Sequence, residues 1–198
     1  MSRSFLAAAL ISLLAGACEA PASSESATET DAPAVESADA LVQENVPYTD
    51  PAAGVTFNHL VDYTTGPCDS ETPDCIGVFA EPAGEPLVRI EVHDGDLATV
   101  GREQAGFEPN ADGVLMTTYG RFEPVPVTAF EGQGWDGQRA TITCGVSDAE
   151  TGFHAAGGEC LWAVASSGSR SVLLVSDGSQ AGFDAAEFAL SSLHILAR

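Results

Sequence analysis

An α+β fold, mostly antiparallel β-sheet flanked by helices, is the class this sequence predicts for residues 47–198. Three observations predict it. Short runs in which apolar and polar residues alternate recur through the segment, as strands with one buried face require. Near the C-terminus Asp184-Ala185-Ala186-Glu187 matches a capping box, the opening of a helix. The strand-like runs mostly follow one another with no helix between them, which argues against the repeated βαβ unit of a doubly wound sheet.

The chain begins with Arg3, an apolar run from Phe5 to Leu14, and the small residues Ala15-Gly16-Ala17 ahead of Cys18. That is the shape of a secretory signal over residues 1–17. The run is about half of the ~20 residues a spanning helix needs, so a permanent transmembrane anchor is the weaker reading. Leu13-Leu14-Ala15-Gly16-Ala17-Cys18 resembles the lipobox of bacterial lipoproteins, whose cysteine receives diacylglycerol and becomes the first residue after cleavage. Family patterns prefer Leu where this chain has Ala15, with Leu14 one step further back. Because Ala15-Gly16-Ala17 is also an A-x-A site, secretion without a lipid is the alternative. After Cys18, residues 19–46 hold seven acidic residues and no basic one, among Ala, Ser, Thr and Pro. Such a segment buries too little apolar surface to offset its ordering entropy. Residues 18–46 are therefore expected to be a lipid-anchored, acidic, disordered linker, reaching about 30 Å as a flexible coil.

Within the domain, strands are expected around Gly54-Val55-Thr56-Phe57 and from Ile76 to Ala80. The clearest runs from Leu87 to His93, where Val88, Ile90 and Val92 alternate with Arg89, Glu91 and His93 and leave the latter on a wet face. A short helix follows from Leu97 to about Gln104, with Asp96 as N-cap and Gly101 costing ~1 kcal/mol in its interior. From Arg139 to Val146 the residues Ala140, Ile142, Cys144 and Val146 share a face, as do Cys160, Trp162 and Val164 further on. A loop from Ser147 to Glu159 makes these antiparallel neighbours and sets the two cysteines opposite each other. Val172 to Val175 completes a meander after a turn at Ser167-Gly168-Ser169. In the final helix Phe183 and Phe188 stand where a hydrophobic staple needs them, and Phe188, Leu190 and Leu193 face the sheet.

Three stretches carry a resemblance: Tyr48-Thr49-Asp50-Pro51-Ala52-Ala53-Gly54-Val55-Thr56-Phe57, Trp135-Asp136-Gly137-Gln138-Arg139-Ala140, and Phe188-Ala189-Leu190-Ser191-Ser192-Leu193-His194-Ile195. They are similar to the PsbP-like superfamily of small αβα sandwiches, which includes bacterial lipoproteins and envelope proteins. The similarity spans most of the domain and rests on a turn, a strand and a closing helix rather than on chemical motifs. The aromatic-rich segment that usually follows the family's first strand is replaced here by a cysteine loop. The resemblance implies a noncatalytic accessory or binding role and brings no active-site residues with it.

Cys18 is the odd one of five cysteines. The others fall into two close pairs, Cys68 with Cys75 and Cys144 with Cys160, and in an oxidising envelope they read as disulfides. Four cysteines permit three connectivities. Nearest-neighbour pairing closes compact loops, each worth roughly 2 to 3 kcal/mol in the chain-entropy model. Zinc is disfavoured, because there is no C-x2-C and none of His59, His93, His154 and His194 lies at finger-like spacing from a cysteine pair. No metal and no cofactor is expected.

The formal net charge is -22, and the chain contains no lysine. Nucleic acid and anionic phospholipid are accordingly poor partners, since binding them works against net repulsion. Gly132-Gln133-Gly134-Trp135-Asp136-Gly137 satisfies G-x-G-x-x-G, but a strand rather than a helix follows it, so a glycine turn explains it better. Glu108-Pro109-Asn110-Ala111-Asp112-Gly113 is a poor calcium loop, beginning with Glu and carrying Tyr119 at the closing position. There is no G-x-S-x-G elbow, Ser166-Ser167-Gly168-Ser169 reads as a hairpin turn, and His93, His154 and His194 read as surface residues. No catalytic or cofactor-binding residue is named. The sequence points to an envelope-tethered, noncatalytic lipoprotein, held to the membrane through lipid on Cys18 with its domain in the periplasm, binding an unnamed ligand or envelope protein. A cation-binding module and an unrecognised envelope hydrolase are the alternatives.

Overall fold

The computed structural model describes residues 44–69, 72, 74–120, 122–148 and 153–196. The signal, Cys18 and the linker up to residue 43 lie outside the described residues. Strand β1 (Asn45–Asp50) starts just ahead of the expected boundary at 47 and forms a hairpin with β2 (Val55–Leu60), Tyr48 opposite Phe57. The turn between them is built by Asp50, whose Oδ1 accepts the amides of Ala52 and Ala53 at 2.9 and 2.8 Å. Gly54 closes it at φ 67, in the left-handed region that favours glycine.

The chain continues through β3 (Thr64–Pro67), β4 (Cys75–Phe79), β5 (Val88–Asp94), α1 (Leu97–Ala105), β6 (Glu108–Pro109), β7 (Leu115–Thr117), β8 (Val125–Pro126) and β9 (Thr128–Gly132). It ends with β10 (Trp135–Asp148), β11 (Phe153–Ser167), β12 (Arg170–Ser176), α2 (Gln180–Ser191) and β13 (His194–Ile195). Seven strands form the central sheet, in the order β3-β4-β5-β12-β11-β10-β9, with every neighbouring pair antiparallel. Two smaller sheets, β1-β2-β13 and β6-β7-β8, complete the architecture.

The helices cover opposite faces of the central sheet. Leu161, Ala163, Val172 and Leu174 pack with Ala185, Ala186, Ala189 and Leu190 of α2. Val164 and Leu173, which alternate with them, pack instead with Val100 and Ala105 of α1. Adjacent residues thus point to different helices, and the fold is an α+β sandwich with a mostly antiparallel sheet in the middle. Burial on both faces is why β11 and β12 carry nearly continuous apolar runs in place of the alternation that marks β5.

Helix α1 occupies its expected place. Asp96 accepts the Thr99 amide at 2.8 Å, and this bond, with the Thr99 side chain adding to it, holds the carboxyl below its ordinary value. Gly101 is buried where a Cβ would lie 3.1 Å from Gln138 Oε1 and 3.3 Å from Phe107 Cδ2, so the helix interior uses glycine to lie close to its neighbours.

Helix α2 starts earlier than the capping box implies. Its N-cap is Ser179, whose hydroxyl accepts the Gly182 amide at 2.9 Å, while Asp184 lies one turn inside and accepts from Gln180 Nε2 at 2.8 Å. Gly182 reads as a helix breaker, yet a Cβ there would lie 2.0 Å from Asp177 Oδ1 and 2.8 Å from the Leu87 carbonyl. Close approach to the sheet overrides propensity at that position. For the same reason the buried face of α2 is Gly182, Ala185, Ala186, Ala189 and Leu190; Phe188, expected against the sheet, is only half-buried.

The loop expected from Ser147 to Glu159 is mostly strand. β10 and β11 stay paired out to Asp148 opposite Phe153, with a bulge between Cys144 and Gly145. Cys144 faces Gly158, and Cys160 faces Ile142, so the cysteines are diagonal neighbours rather than directly opposite. They are bonded all the same, with Cα atoms 5.8 Å apart, as are Cys68 and Cys75 at 5.4 Å. The glycine runs expected as turns between β9 and β10 and between β11 and β12 are turns, with Gly134 at φ 80 and Gly168 at φ 74.

Candidate functional site

Several concave regions among the described residues offer enough volume for a ligand, including one of about 370 Å³ beside the β6-β7-β8 sheet; two others border α2 and the β1–β2 turn. A groove of about 400 Å³ runs between the β9–β10 hairpin and α2. A cleft of about 330 Å³ lies beneath the β1–β2 turn, adjoining a recess of about 120 Å³ with which it shares Ala52, Ala53 and Asp74. Hydrogen-bond accounting separates them.

In the groove the Arg139, Glu187 and Trp135 side chains find their partners within the protein. Arg139 of β10 donates from Nη1 to both carboxylate oxygens of Glu187, at 2.9 and 3.1 Å, and its guanidinium lies 5.4 Å from the centre of the Phe130 ring. Trp135 stacks edge-on against Phe130 at 5.3 Å and donates its indole N–H to the Leu193 carbonyl at 2.9 Å. The Arg139–Glu187 pair is partly exposed and contributes up to about 1 kcal/mol. This is a latch holding the end of α2 to the sheet.

The recess is different. Arg170, the first residue of β12, is only 8% exposed although it carries a full charge. It follows the Gly168 turn, and its partner across the β12–β5 ladder is Asp94. Its Nη2 donates to the Ala53 carbonyl, tying the β1–β2 turn to the central sheet. A Cβ on Gly54 would lie 2.5 Å from Nη1, so the missing side chain of that glycine makes room for the guanidinium. Nε has no hydrogen-bond partner, and Arg170 forms no ion pair among the described residues. A buried, unmatched N–H costs about 1–3 kcal/mol, more when charged. Arg170 Nε and His93 Nε2 are the two buried side-chain nitrogens without a hydrogen-bond partner among the described residues, and of the two residues Arg170 lines the recess, where its guanidinium is a buried cation for a small ligand to meet.

Charge is unevenly distributed around this position. Asp74 and Asp94 line the recess and are themselves exposed. Tyr48 and Asp50 line the adjoining cleft; burial first, and then the Asp50 charge, push the Tyr48 hydroxyl above its ordinary value. Thr65, Pro67, Ile76 and the buried Cys75 complete a mixed polar and apolar wall.

Cys75 lines the cleft through its bond to Cys68, while Cys144–Cys160 is buried within the α1-side cluster. His59 is buried on β2, within 2.9 Å of the Leu60 carbonyl through Nδ1. His93 on β5 lies 3.4 Å from Glu91, and His194 sits on β13. None of these three lines the groove, cleft or recess. The side chain of His154 lies outside the described residues. At the loop of 108–113, Asn110 Oδ1 accepts the amides of Asp112 and Val114 at 2.9 and 3.0 Å, which makes it an Asx turn. Among the described residues no group of three or more His, Cys, Asp or Glu stands together in a way that would hold a metal ion, and no helix is long and apolar enough to cross a membrane.

Sequence reasoning did not single out Arg170, Gly54, Asp74 or Asp94. One signal was present: Arg170 stands two residues before the apolar run Val172-Leu173-Leu174-Val175 in a chain with no lysine.

No protein-family model matches this sequence, and no curated protein matches it. Among solved structures the chain is similar to cyanobacterial PsbP (CyanoP) from Synechocystis, with a TM-score of 0.47 and 13% identity over 83% of this chain and 99% of that one. It is also similar to a crystal structure from Bacteroides thetaiotaomicron, with a TM-score of 0.46 and 12% identity over 77% of this chain. There it spans about half of the other chain, 48%. The fold class rests on the strand order and helix placement described above.

Proposed function

We propose that this chain is a lipid-anchored protein of the bacterial envelope, whose domain is a noncatalytic binding module that holds a small ligand at the recess under the β1–β2 turn. The observation that carries the binding role is the buried guanidinium of Arg170, which lines the recess and has no ion-pair partner among the described residues. Two disulfides suit an oxidising compartment, and the signal and Cys18 supply export and the anchor. The PsbP-like resemblance agrees with an accessory role.

Intact mass of the membrane-extracted protein tests the anchor. A diacylglyceryl and acyl increment on a chain starting at Cys18, with the remaining four cysteines oxidised, is the expected result; an unlipidated chain with a free Cys18 thiol makes the protein a secreted one. Binding is tested by amide chemical-shift changes at Ala52, Ala53, Gly54 and Arg170 during titration with small charged compounds. If no compound produces a change confined to these residues, the binding role is wrong.

A further inference from the structure

We infer that the recess takes a small zwitterion, a molecule of the α-amino acid class with a carboxylate and an ammonium group close together; this rests on the binding role proposed above. Arg170 supplies the first half of the recognition. Its Nη2 is engaged by the Ala53 carbonyl, its buried Nε has no partner, and a guanidinium is suited to meet a carboxylate. A carboxylate in the recess would give this buried cation the counter-charge that no ion pair supplies among the described residues.

A simple anion does not fit the surroundings. Asp74 and Asp94 line the same recess as Arg170, in a chain of net charge -22. An ammonium group on the same small molecule reverses that repulsion, because both carboxylates line the recess and neither forms an ion pair among the described residues. Size agrees. The recess of about 120 Å³ has the volume of roughly four liquid waters at ~30 Å³ each, comparable to the few heavy atoms of glycine. The adjoining cleft, with Thr65, Pro67 and Ile76 in its wall, leaves space for a short side chain. The arrangement of one cation and two carboxylates around a small recess therefore matches both ends of the ligand at once.

The test is a titration of the purified protein, both disulfides intact, with glycine, acetate and methylammonium at low ionic strength, read at the amides of Ala52, Ala53, Gly54 and Arg170. Glycine is expected to bind at least about tenfold more tightly than either half-molecule, the worth of one further charge-assisted contact of about 1.4 kcal/mol. Because Arg170 also ties down the β1–β2 turn, its substitution risks unfolding the domain. The exposed pair Asp74→Asn with Asp94→Asn provides the second arm: glycine binding is expected to fall about tenfold or more, while acetate binding rises. Acetate binding the unaltered protein as well as glycine overturns the zwitterion and leaves an anion site. Methylammonium binding alone overturns it in favour of a cation site. Silence at these amides with all three compounds overturns both the ligand class and the binding role.

Discussion

At Gly54 two requirements meet in one residue. The backbone sits at φ 67, and the space a side chain would fill is held by the Arg170 guanidinium, 2.5 Å from the Cβ position at Nη1 and 2.9 Å at Cζ. Gly54→Ala is expected to destabilise the protein by about 1–3 kcal/mol, combining left-handed strain with crowding. Urea unfolding measures this; a loss below about 0.5 kcal/mol, the ordinary range of a surface substitution, would show that the guanidinium yields freely. Neither residue announced this role. Gly54 is one of 20 glycines, and its demand comes from Arg170, which lies far along the chain and reaches it only after the hairpin docks on the sheet. His59 is the opposite case: it alternates with Val55 and Phe57 on one face of β2, and the fold buries it with them.

Helix α2 shows how an element is located by more than its local signals. The Asp184-Ala185-Ala186-Glu187 box would start the helix at Asp184, but Ser179 caps it, and Asp177 Oδ1 organises the entry by accepting the Ser179 amide and hydroxyl at 2.9 and 2.7 Å. The two caps make opposite predictions. Ser179→Ala is expected to cost about 1 kcal/mol, seen as a lowered urea midpoint at unchanged slope, whereas Asp184→Ala should stay within about 0.5 kcal/mol. Equal losses at both positions would contradict this assignment. β5 is the converse case: Val88 and Ile90 are buried and Val92 partly so on the face periodicity expected, because that strand faces α2 on one side and solvent in part on the other. Strands β10 and β11 exceeded expectation because glycines that look like loop in isolation are held by ladder hydrogen bonds.

Across the whole molecule the two disulfides do different work. Cys68–Cys75 closes a short sequence separation of 7 beside the cleft, whereas Cys144–Cys160 spans 16 and is buried in the α1-side cluster. The second also abuts the approach to α2, since a Cβ on Gly178 would lie 2.6 Å from Cys144 Sγ. Replacing both cysteines of a pair by serine should therefore cost about 2 kcal/mol for Cys68–Cys75 and about 3 kcal/mol or more for Cys144–Cys160. Calorimetric melting of the two variants gives the ranking, and the reverse order would mean that the cleft-side loop, not the sheet, limits stability.

Local pattern by itself determined the α+β class, the strand β5, the late meander, helix α1 with its Asp96 cap, and the preference for nearest-neighbour disulfides, because each depends on residues close together in the chain. Only the tertiary structure decided where α2 begins, how Cys144 and Cys160 are offset across the ladder, and which charged residue is buried without a full set of partners. Those features come from the fit between surfaces distant in sequence: a helix close enough to a sheet to exclude side chains, a bulge that shifts a register, and a turn that closes over one arginine. Periodicity reports which face of an element is apolar, but not what will be pressed against it.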